Sequence, residues 1–351
     1  MGDYQHAASN YINDKLHGPG MTYSVKLAGG PRKMGRTDIV ASRLGYGAME
    51  LAGPPKARDL TEDEAVSFIN QVVDAGINYI DTSIDYGRSE TLIGKALSHR
   101  RSDYYLASKC ACEVGVDPYN IKGLGKHEEH TYTGENVTAG VEQSLKRLKT
   151  DYLDLVQVHG NPTRKDLEEG GVIDALQKLQ RDGKVRYLGI STRLPLLAEF
   201  VDGDCFSIIQ APYSALQRTN EEAIAALRAA GKAVVTRGVT GRGAPAKGWA
   251  TRPIGTAEGE VRDVWERAKL DELLEGMSRI EFMIRFVLAN DNVDLALVAT
   301  TNYEHLLANI GYAAKGPLSQ LTLDEAKRRL LVAGSGPGLG NYKGGGPSPV
   351  L

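Results

Sequence analysis

The sequence predicts a closed (β/α)8 barrel, and two observations support this fold class. Eight strand-like runs follow one another along the chain, and most are continuously apolar, as in parallel strands that are buried on both faces. Segments with apolar residues at helical spacing lie between them. Eight such units without an internal boundary favour a barrel over a doubly wound sheet, and no G-x-G-x-x-G motif follows the first strand.

The predicted strands are short, and most lead into polar residues. In chain order they are RLGYGAM, INYIDTS, YYLASKC, YLDLVQVH, VRYLGIS, FSIIQAP, AVVTRG and LALVAT. Ahead of them, the runs TYSVKLAGG, which begins at Thr22, and MGRTDIVAS predict a short hairpin that is split by Gly-Gly-Pro.

The predicted helices have recognisable beginnings and ends. TEDEAVSFINQVVDAG opens with a capping box of Thr61 and Glu64 and stops at Gly76. The other helical segments are SETLIGKAL, ENVTAGVEQSLKRLK, GVIDALQKLQRDG, EEAIAALRAAGK and ELLEGMSRIEFMIRFVLAN. LTLDEAKRRLLVA predicts extra helical structure at the C-terminal end of the barrel.

The chain is predicted to form one domain with two flexible ends. We expect a flexible arm over residues 1–21, a single barrel domain over 22–334 and a Gly/Pro-rich flexible tail over 335–351. Two predicted loops are unusually long: Ala111 to about Tyr132 and about Val239 to Lys269. Both follow strands, so in a barrel they lie on the face where active sites form and are expected to wall a substrate pocket.

Composition excludes several classes of function. The formal net charge of -2 over 351 residues gives no basic field for nucleic acid. No apolar run approaches the ~18 residues of a membrane span, and the N-terminus lacks a signal pattern. Three cysteines, an odd number, argue against a disulfide framework and suit a reducing cytoplasm. Cys110 and Cys112 are too few and too close for a zinc site or a cluster, so no metal is predicted.

Polar residues stand at the ends of seven of the predicted strands. They are Asp81, Lys109, His159, Ser191, Gln210, Arg237 and Thr300. Singly, each has an ordinary structural explanation, such as a turn former or a satisfied core histidine. In a barrel, however, the C-terminal ends of all strands meet at one mouth.

Four residues at this mouth have complementary chemical properties. Tyr86 follows Asp81 by five residues, and a tyrosine with a pKa of ~10 is a poor proton donor and acceptor at neutral pH. The ammonium of Lys109 is expected to lower that pKa, and Asp81 would make the buried ammonium tolerable. A neutral His159 could polarise a carbonyl. The set suits protonation of a carbonyl oxygen as it becomes an alkoxide.

Reduction of a carbonyl also needs a hydride, which side chains cannot supply, so a nicotinamide or flavin is implied. Ser191 and Gln210 suit a clamp for an amide, although a turn serine and a pore-lining glutamine are equally good explanations. The segment VATTNYEHLLANI opens a helix at Thr300, Thr301 and Asn302, which suits phosphate binding or an ordinary helix cap.

At this point the sequence resembles the aldo-keto reductase family, from about Lys33 to Gly311. The motifs that carry the resemblance are IDTSIDYGRSETLIGKAL, ASK, SLKRLKTDYLDLVQVH, GKVRYLGIS and IRFVLAN…LVATTNYEHLLANI, in the family's order. The resemblance implies a (β/α)8 barrel, plugged at its bottom by the hairpin, that reduces aldehydes and ketones with NAD(P)H. It also implies that Tyr86 is the general acid, that Lys109 and Asp81 tune it, and that His159 orients the carbonyl.

The resemblance also implies a cofactor site. Ser191 and Gln210 would hold the nicotinamide carboxamide, Arg237 would pack on its ring, and Gly243 would lie in the loop over the pyrophosphate. The residues implied for the adenosine and the 2′-phosphate are Thr300, Asn302, His305 and Asn309. NADP(H) is favoured. NAD(H) remains the alternative, because Ala299 and His305 stand where many NADPH-using members carry basic residues. Thr192 stands where the clamp commonly has Asn.

The sequence therefore predicts an NAD(P)H-dependent reductase of a small carbonyl compound, or the reverse alcohol dehydrogenase, in the cytoplasm, as a monomer or homo-oligomer. The alternatives are a cofactor-binding, redox-sensing regulatory subunit with little turnover, and a barrel lyase with Lys109 as a Schiff base. The residues that could line a substrate pocket in the long loops are Tyr119, His127, His130 and Trp249.

Overall fold

The structure, a computed structural model, describes residues 29–54, 57, 59–115, 130–241 and 264–338. The predicted arm, most of the predicted tail and the central parts of both long loops lie outside these residues. Gly243, Tyr119, His127 and Trp249 belong to those parts.

The predicted barrel is confirmed. Its strands are β3 (Leu44–Gly47), β4 (Tyr79–Asp81), β5 (Tyr105–Cys110), β6 (Leu153–His159), β7 (Val185–Ser191), β8 (Ile208–Pro212), β9 (Ala233–Arg237) and β10 (Leu295–Val298). Each pairs in parallel with the next, and β10 pairs with β3 to close the barrel, with Ala296 opposite Leu44. All eight coincide with the apolar runs of the sequence.

Helices surround the barrel, and all but the short helix Arg164–Glu169 lie in segments where the sequence predicts them. They are α1 (Glu62–Asp74), α2 (Ser89–Leu97), α3 (Gly134–Leu148), α4 (Arg164–Glu169), α5 (Val172–Arg181), α6 (Glu221–Ala229), α7 (Arg279–Leu288), α8 (Tyr303–Ala314) and α9 (Gln320–Val332). The capping box of α1 is present, since the Thr61 side chain accepts from the Glu64 amide while the Glu64 carboxylate accepts from the Thr61 amide. None of the described helices is long and apolar enough to cross a membrane.

The N-terminal hairpin is present, but its predicted turn is wrong. It consists of β1 (Pro31–Lys33) and β2 (Val40–Ser42), which pair antiparallel, so the chain turns at residues 34–39 rather than at Gly-Gly-Pro. The run TYSVKL lies outside the described residues. Met34 and Ile39 are fully buried among interior side chains of the barrel strands, and burying these two apolar groups decides where the hairpin turns.

Two predicted connections differ in detail. The segment ELLEGMSRIEFMIRFVLAN is not one helix, because Glu275 and Gly276 adopt left-handed backbone conformations and Ser278 caps a new helix, α7. Between β7 and β8, where the sequence analysis named no helical segment, the chain forms a short 3-10 helix, Leu196–Phe200.

Candidate active site

Four of the residues singled out in the sequence meet at the C-terminal mouth of the barrel. Asp81 ends β4, Lys109 is the penultimate residue of β5 and His159 ends β6. Tyr86 lies in the turn after β4, where its amide donates to Ser83 O at 3.1 Å. The parallel barrel brings these strand ends together, as the sequence analysis expects.

The centre of the site is a buried ion pair. Lys109 Nζ donates to Asp81 Oδ1 at 2.5 Å and to Thr82 O at 2.8 Å. Lys109 is only 1% exposed. Burial alone lowers the pKa of Lys109, but the Asp81 carboxylate outweighs this and holds the pKa above its ordinary value. The ammonium therefore stays charged, which makes Lys109 a poor Schiff-base nucleophile and argues against the lyase alternative.

The second oxygen of Asp81 is held by two amides. Gln157 Nε2 and Gln210 Nε2 each donate to Asp81 Oδ2 at 2.8 Å. Ser191 Oγ in turn donates to Gln210 Oε1 at 3.0 Å. The carboxylate thus accepts hydrogen bonds from three side chains, which lowers the free-energy penalty of burying its charge.

Gln157 is a residue that sequence reasoning missed. It is fully buried in β6, two residues before His159, so both side chains point to the same face of the strand. The available signal was a single amide inside the apolar run LVQV. A buried polar side chain of that kind needs a partner, and here the partner is Asp81.

The expected lowering of the tyrosine pKa is not what the structure shows. Lys109 Nζ lies 4.8 Å from the centroid of the Tyr86 ring, close enough to act on it. Burial nevertheless raises the pKa of Tyr86 above 10, and the opposing effect of Lys109 is smaller. The phenol is therefore held in its protonated form at neutral pH.

His159 faces Tyr86 across the mouth. The centroids of the two rings are 6.5 Å apart and their planes are nearly perpendicular. Burial lowers the pKa of His159 well below its ordinary value of 6.5, partly opposed by Asp85, so the imidazole is neutral at neutral pH, as expected. Its Nδ1 lies 3.2 Å from Cys112 Sγ, a contact that the sequence analysis did not predict.

The thiol next to His159 keeps its proton. Burial raises the pKa of Cys112 far above that of an ordinary thiol, and Cys110 is similarly shifted, to about 12. Cys110, Cys112 and Cys205 are all unpaired. Neither buried thiol therefore has the thiolate character of a reactive cysteine.

The residues expected to hold a nicotinamide stand at neighbouring strand ends. Ser191 and Gln210 are buried, and each retains hydrogen-bonding capacity beyond the bonds described above. Arg237 ends β9, and its charge is a minor influence that adds to the lowering of the His159 pKa by burial and opposes the raising of the Tyr86 pKa by burial. Thr192 Oγ1 donates to Asn161 Oδ1 at 3.1 Å, which holds an amide beside the position where the clamp commonly has Asn.

The residues expected near the adenosine lie at the start of α8. Asn302 caps this helix, since its Oδ1 accepts from the His305 amide at 3.1 Å, and Thr300 Oγ1 accepts from the Asn302 amide at 3.0 Å. Asn302 and His305 are exposed, whereas Asn309 is buried. These contacts are those of an ordinary helix cap, and the helix N-terminus is open to solvent at the mouth of the barrel.

This arrangement agrees with what similarity to known proteins shows. A model of the aldo/keto reductase family matches residues 43–328. The chain belongs to the aldo/keto reductase family. Membership assigns it general oxidoreductase activity and accounts for the order of the strand-end motifs.

Individual relatives of this aldo/keto reductase have low sequence identity to it. An uncharacterized oxidoreductase of Bacillus subtilis, YqkF, is 28% identical over 293 residues, which cover 80% of this chain and 89% of that protein. L-galactose dehydrogenase of Arabidopsis thaliana is 36% identical over 181 residues, 47% of this chain and 49% of that protein. The solved structure of the aldo-keto reductase AKR11C1 from Bacillus halodurans, holo form, superposes with a TM-score of 0.73 at 27% identity, covering 90% of this chain and 98% of that one.

Proposed function

We propose that this protein reduces an aldehyde or ketone to an alcohol with NAD(P)H, and that Tyr86 donates the proton. The observation that carries the proposal is the buried Lys109–Asp81 ion pair, which places an ammonium 4.8 Å from the centroid of the Tyr86 ring, with the His159 ring also facing Tyr86. No other described group at the mouth combines a protonated hydroxyl with a fixed positive charge behind it.

The proton would move from the Tyr86 hydroxyl to the substrate oxygen. As hydride reaches the carbonyl carbon, the C–O π electrons become an alkoxide, which takes the phenolic proton and leaves a phenolate. Lys109 stabilises that phenolate, and Asp81 keeps Lys109 charged and in position. Because burial keeps Tyr86 protonated, the site is better prepared to donate a proton than to accept one at neutral pH.

His159 would orient the carbonyl oxygen through its Nε2–H. This needs the tautomer with the proton on Nε2, which a hydrogen bond donated to Nδ1 selects. Cys112 keeps its thiol proton and lies 3.2 Å from Nδ1, so it can donate that bond. Cys112 would then act by positioning His159 and not by contacting substrate.

The strand-end residues fit a nicotinamide cofactor, which supplies the hydride when bound. Ser191 and Gln210 offer hydroxyl and amide groups to a carboxamide, and Arg237 offers a planar cation at the next strand end. The open N-terminus of α8, with Thr300, Asn302 and His305 and with Asn309 one helical turn further on, suits a phosphate. A phosphate site at this helix would suit the 2′-phosphate of NADP(H), which supports NADP(H) as the cofactor, with NAD(H) as the alternative. We further propose a cytoplasmic location, where the three unpaired cysteines remain reduced.

The test mixes purified protein with NADPH, and separately with NADH, and a reactive aldehyde such as a nitrobenzaldehyde. We expect loss of reduced-nicotinamide absorbance, and we expect Tyr86→Phe to slow it by about 10²–10⁴-fold without weakening cofactor binding. Tyr105→Phe, at the hairpin end of the barrel, serves as the matched control, because Tyr105 OH only accepts a bond from the Val40 amide.

Three results would count against the proposal. Folded protein that consumes neither cofactor is not a carbonyl reductase, and tight cofactor binding without turnover would favour the regulatory alternative. A Tyr86→Phe variant that retains turnover would remove Tyr86 from the role of acid.

A further inference from the structure

Three side chains, that of His159 and those of two neighbours, place metal-binding atoms close together. The ligand atoms of Cys112, His130 and His159 all lie within 4.8 Å of one another. They come from separate parts of the chain: Cys112 follows β5, His130 lies where the connection returns toward α3, and His159 ends β6. A thiolate and two imidazoles form the set of ligands that zinc prefers in proteins.

The spacing is close to that of a tetrahedral site. Zn–S and Zn–N bonds of about 2.3 and 2.0–2.1 Å at tetrahedral angles separate the S and N atoms by about 3.5 Å. Cys112 Sγ and His159 Nδ1 are 3.2 Å apart, and the largest separation in the set, at most 4.8 Å, needs about 1 Å of closure. His130 is partly exposed, and its side chain can make that adjustment.

Hydrogen bonds around the cluster hold its two chain segments together. The Thr131 amide donates to Ala111 O at 2.8 Å, and Asn136 Nδ2 donates to both Cys112 O and Thr131 O at 3.1 Å. Tyr132 stacks on the His130 ring and donates its hydroxyl to His159 O at 3.2 Å. The ligands are therefore pre-positioned by the fold, which reduces the entropy lost when an ion binds.

Charge at the cluster also suits a divalent cation. Asp85 Oδ1 lies 3.8 Å from His159 Nδ1, close enough to serve as a fourth ligand or to neutralise charge. A zinc ion removes the proton of a coordinating thiol outright. Zn²⁺ with the Cys112 thiolate and the Asp85 carboxylate would carry no net charge, an arrangement that a largely buried position tolerates.

We propose that Cys112, His130 and His159, with Asp85 or water as fourth partner, bind one Zn²⁺ ion. This proposal differs from the sequence-based expectation of no metal, which considered Cys110 with Cys112 and not Cys112 with two distant histidines. Zinc on Nδ1 leaves the proton of His159 on Nε2, the tautomer that can orient a carbonyl. That effect on turnover rests on the proposed function, whereas the binding does not.

Metal binding is measured on tag-free, chelator-treated full-length protein without substrate or cofactor. Calorimetric titration with ZnCl₂ is expected to give one ion per chain, and Co²⁺ is expected to give the near-ultraviolet charge-transfer absorption of a thiolate–cobalt bond. Cys112→Ser and His130→Ala should each weaken zinc binding by at least about tenfold, and Cys112→Ser should abolish the charge-transfer band.

Cys205→Ser and Cys110→Ala are the matched controls, since both remove a thiol outside the cluster and should leave affinity and band unchanged. Circular dichroism establishes that each variant is folded, and His130→Ala, at a partly exposed position, keeps the test available if a Cys112 variant fails to fold. The proposal is overturned if no stoichiometric ion binds, if Cys112→Ser and His130→Ala bind as tightly as the wild type, or if cobalt gives no thiolate band. Because no turnover is measured, these results are independent of whether the protein reduces carbonyls.

Discussion

The carboxylate of Asp81 organises the site at the scale of single residues. It accepts hydrogen bonds from Lys109, Gln157 and Gln210, and it is 2% exposed. A buried ion pair is a weak source of net stability, but removing one partner strands the other in a low-dielectric interior. Lys109 and Asp81 therefore depend on each other for stability as well as for chemistry.

The first residue-scale prediction concerns this dependence. Lys109→Met leaves the Asp81 charge buried without a cation and should lower the free energy of unfolding by about 3–5 kcal/mol. The double variant Lys109→Met/Asp81→Asn removes both charges and should recover much of that loss. Urea unfolding of the two variants provides the measurement, and equal losses would show that the charge of Asp81 is not the cause.

The second residue-scale prediction concerns the loss of stability at acid pH. Because the pKa of His159 is lowered in the folded protein, the unfolded chain takes up a proton on this residue below pH 6.5 while the folded chain does not. Stability contributed by neutral His159 is therefore complete above pH 6.5 and is lost as the pH falls toward the lowered folded pKa. Between about pH 7 and 5, the free energy of unfolding should fall more steeply for the wild type than for His159→Asn. Parallel pH curves would contradict this.

The sequence made the residues of the candidate site predictable one by one, but not the contacts around them. Asp81, Lys109 and His159 each end an apolar run, so strand position alone assigns them to one mouth. Strand spacing places Gln157 on the same face as His159, but its bond to Asp81 and the approach of Cys112 to His159 depend on side-chain conformations that the sequence does not specify. The raised pKa of Tyr86 likewise follows from the depth of the mouth, which is a property of the folded barrel.

At the scale of elements, two helical glycines with the same local propensity have opposite surroundings. A Cβ on Gly94 of α2 would overlap backbone atoms of Arg147 and Leu148 where α3 ends, whereas one on Gly311 of α8 would meet nothing within 4 Å. Neither glycine needs a left-handed conformation. Of these two glycines, only Gly94 must lack a side chain for its helix to pack.

This contrast gives an element-scale prediction with its own control. Gly311→Ala should stabilise the protein by about 0.5–1 kcal/mol through helix propensity. Gly94→Ala should destabilise it by about 1–3 kcal/mol, because α2 and α3 must separate. Thermal or urea unfolding measures both, and stabilisation by Gly94→Ala would show that the two helices can adjust.

Elements were predictable where local and tertiary signals agree. The capping box of α1 and all eight apolar strands are examples. The hairpin shows the opposite case: Gly-Gly-Pro is a strong local turn signal, but burial of Met34 and Ile39 in the bottom of the barrel places the turn after Pro31–Lys33. The break at Glu275 and Gly276 divides a segment whose apolar spacing predicted a single helix.

At the scale of the whole molecule, the two ends of the barrel have different tasks. The hairpin closes the bottom with apolar side chains, and the strand ends at the top carry the polar groups of the candidate site. The topology was predictable because eight consecutive strand–helix units can bury continuously apolar strands by closing into a ring. What the sequence could not supply is the shape of the long loops that meet a substrate.

The carboxylate of Asp81 joins β4 to its neighbour β5 and also to two strands that are not its neighbours. Asp81 of β4 bonds to side chains of β5, β6 and β8, so its hydrogen bonds cross the interior of the barrel as well as following the sheet. If the ring opened between any of these strands, the groups that position Lys109 and Gln210 would separate. We therefore expect heat or denaturant that opens the ring between these strands to abolish the proposed proton transfer as well.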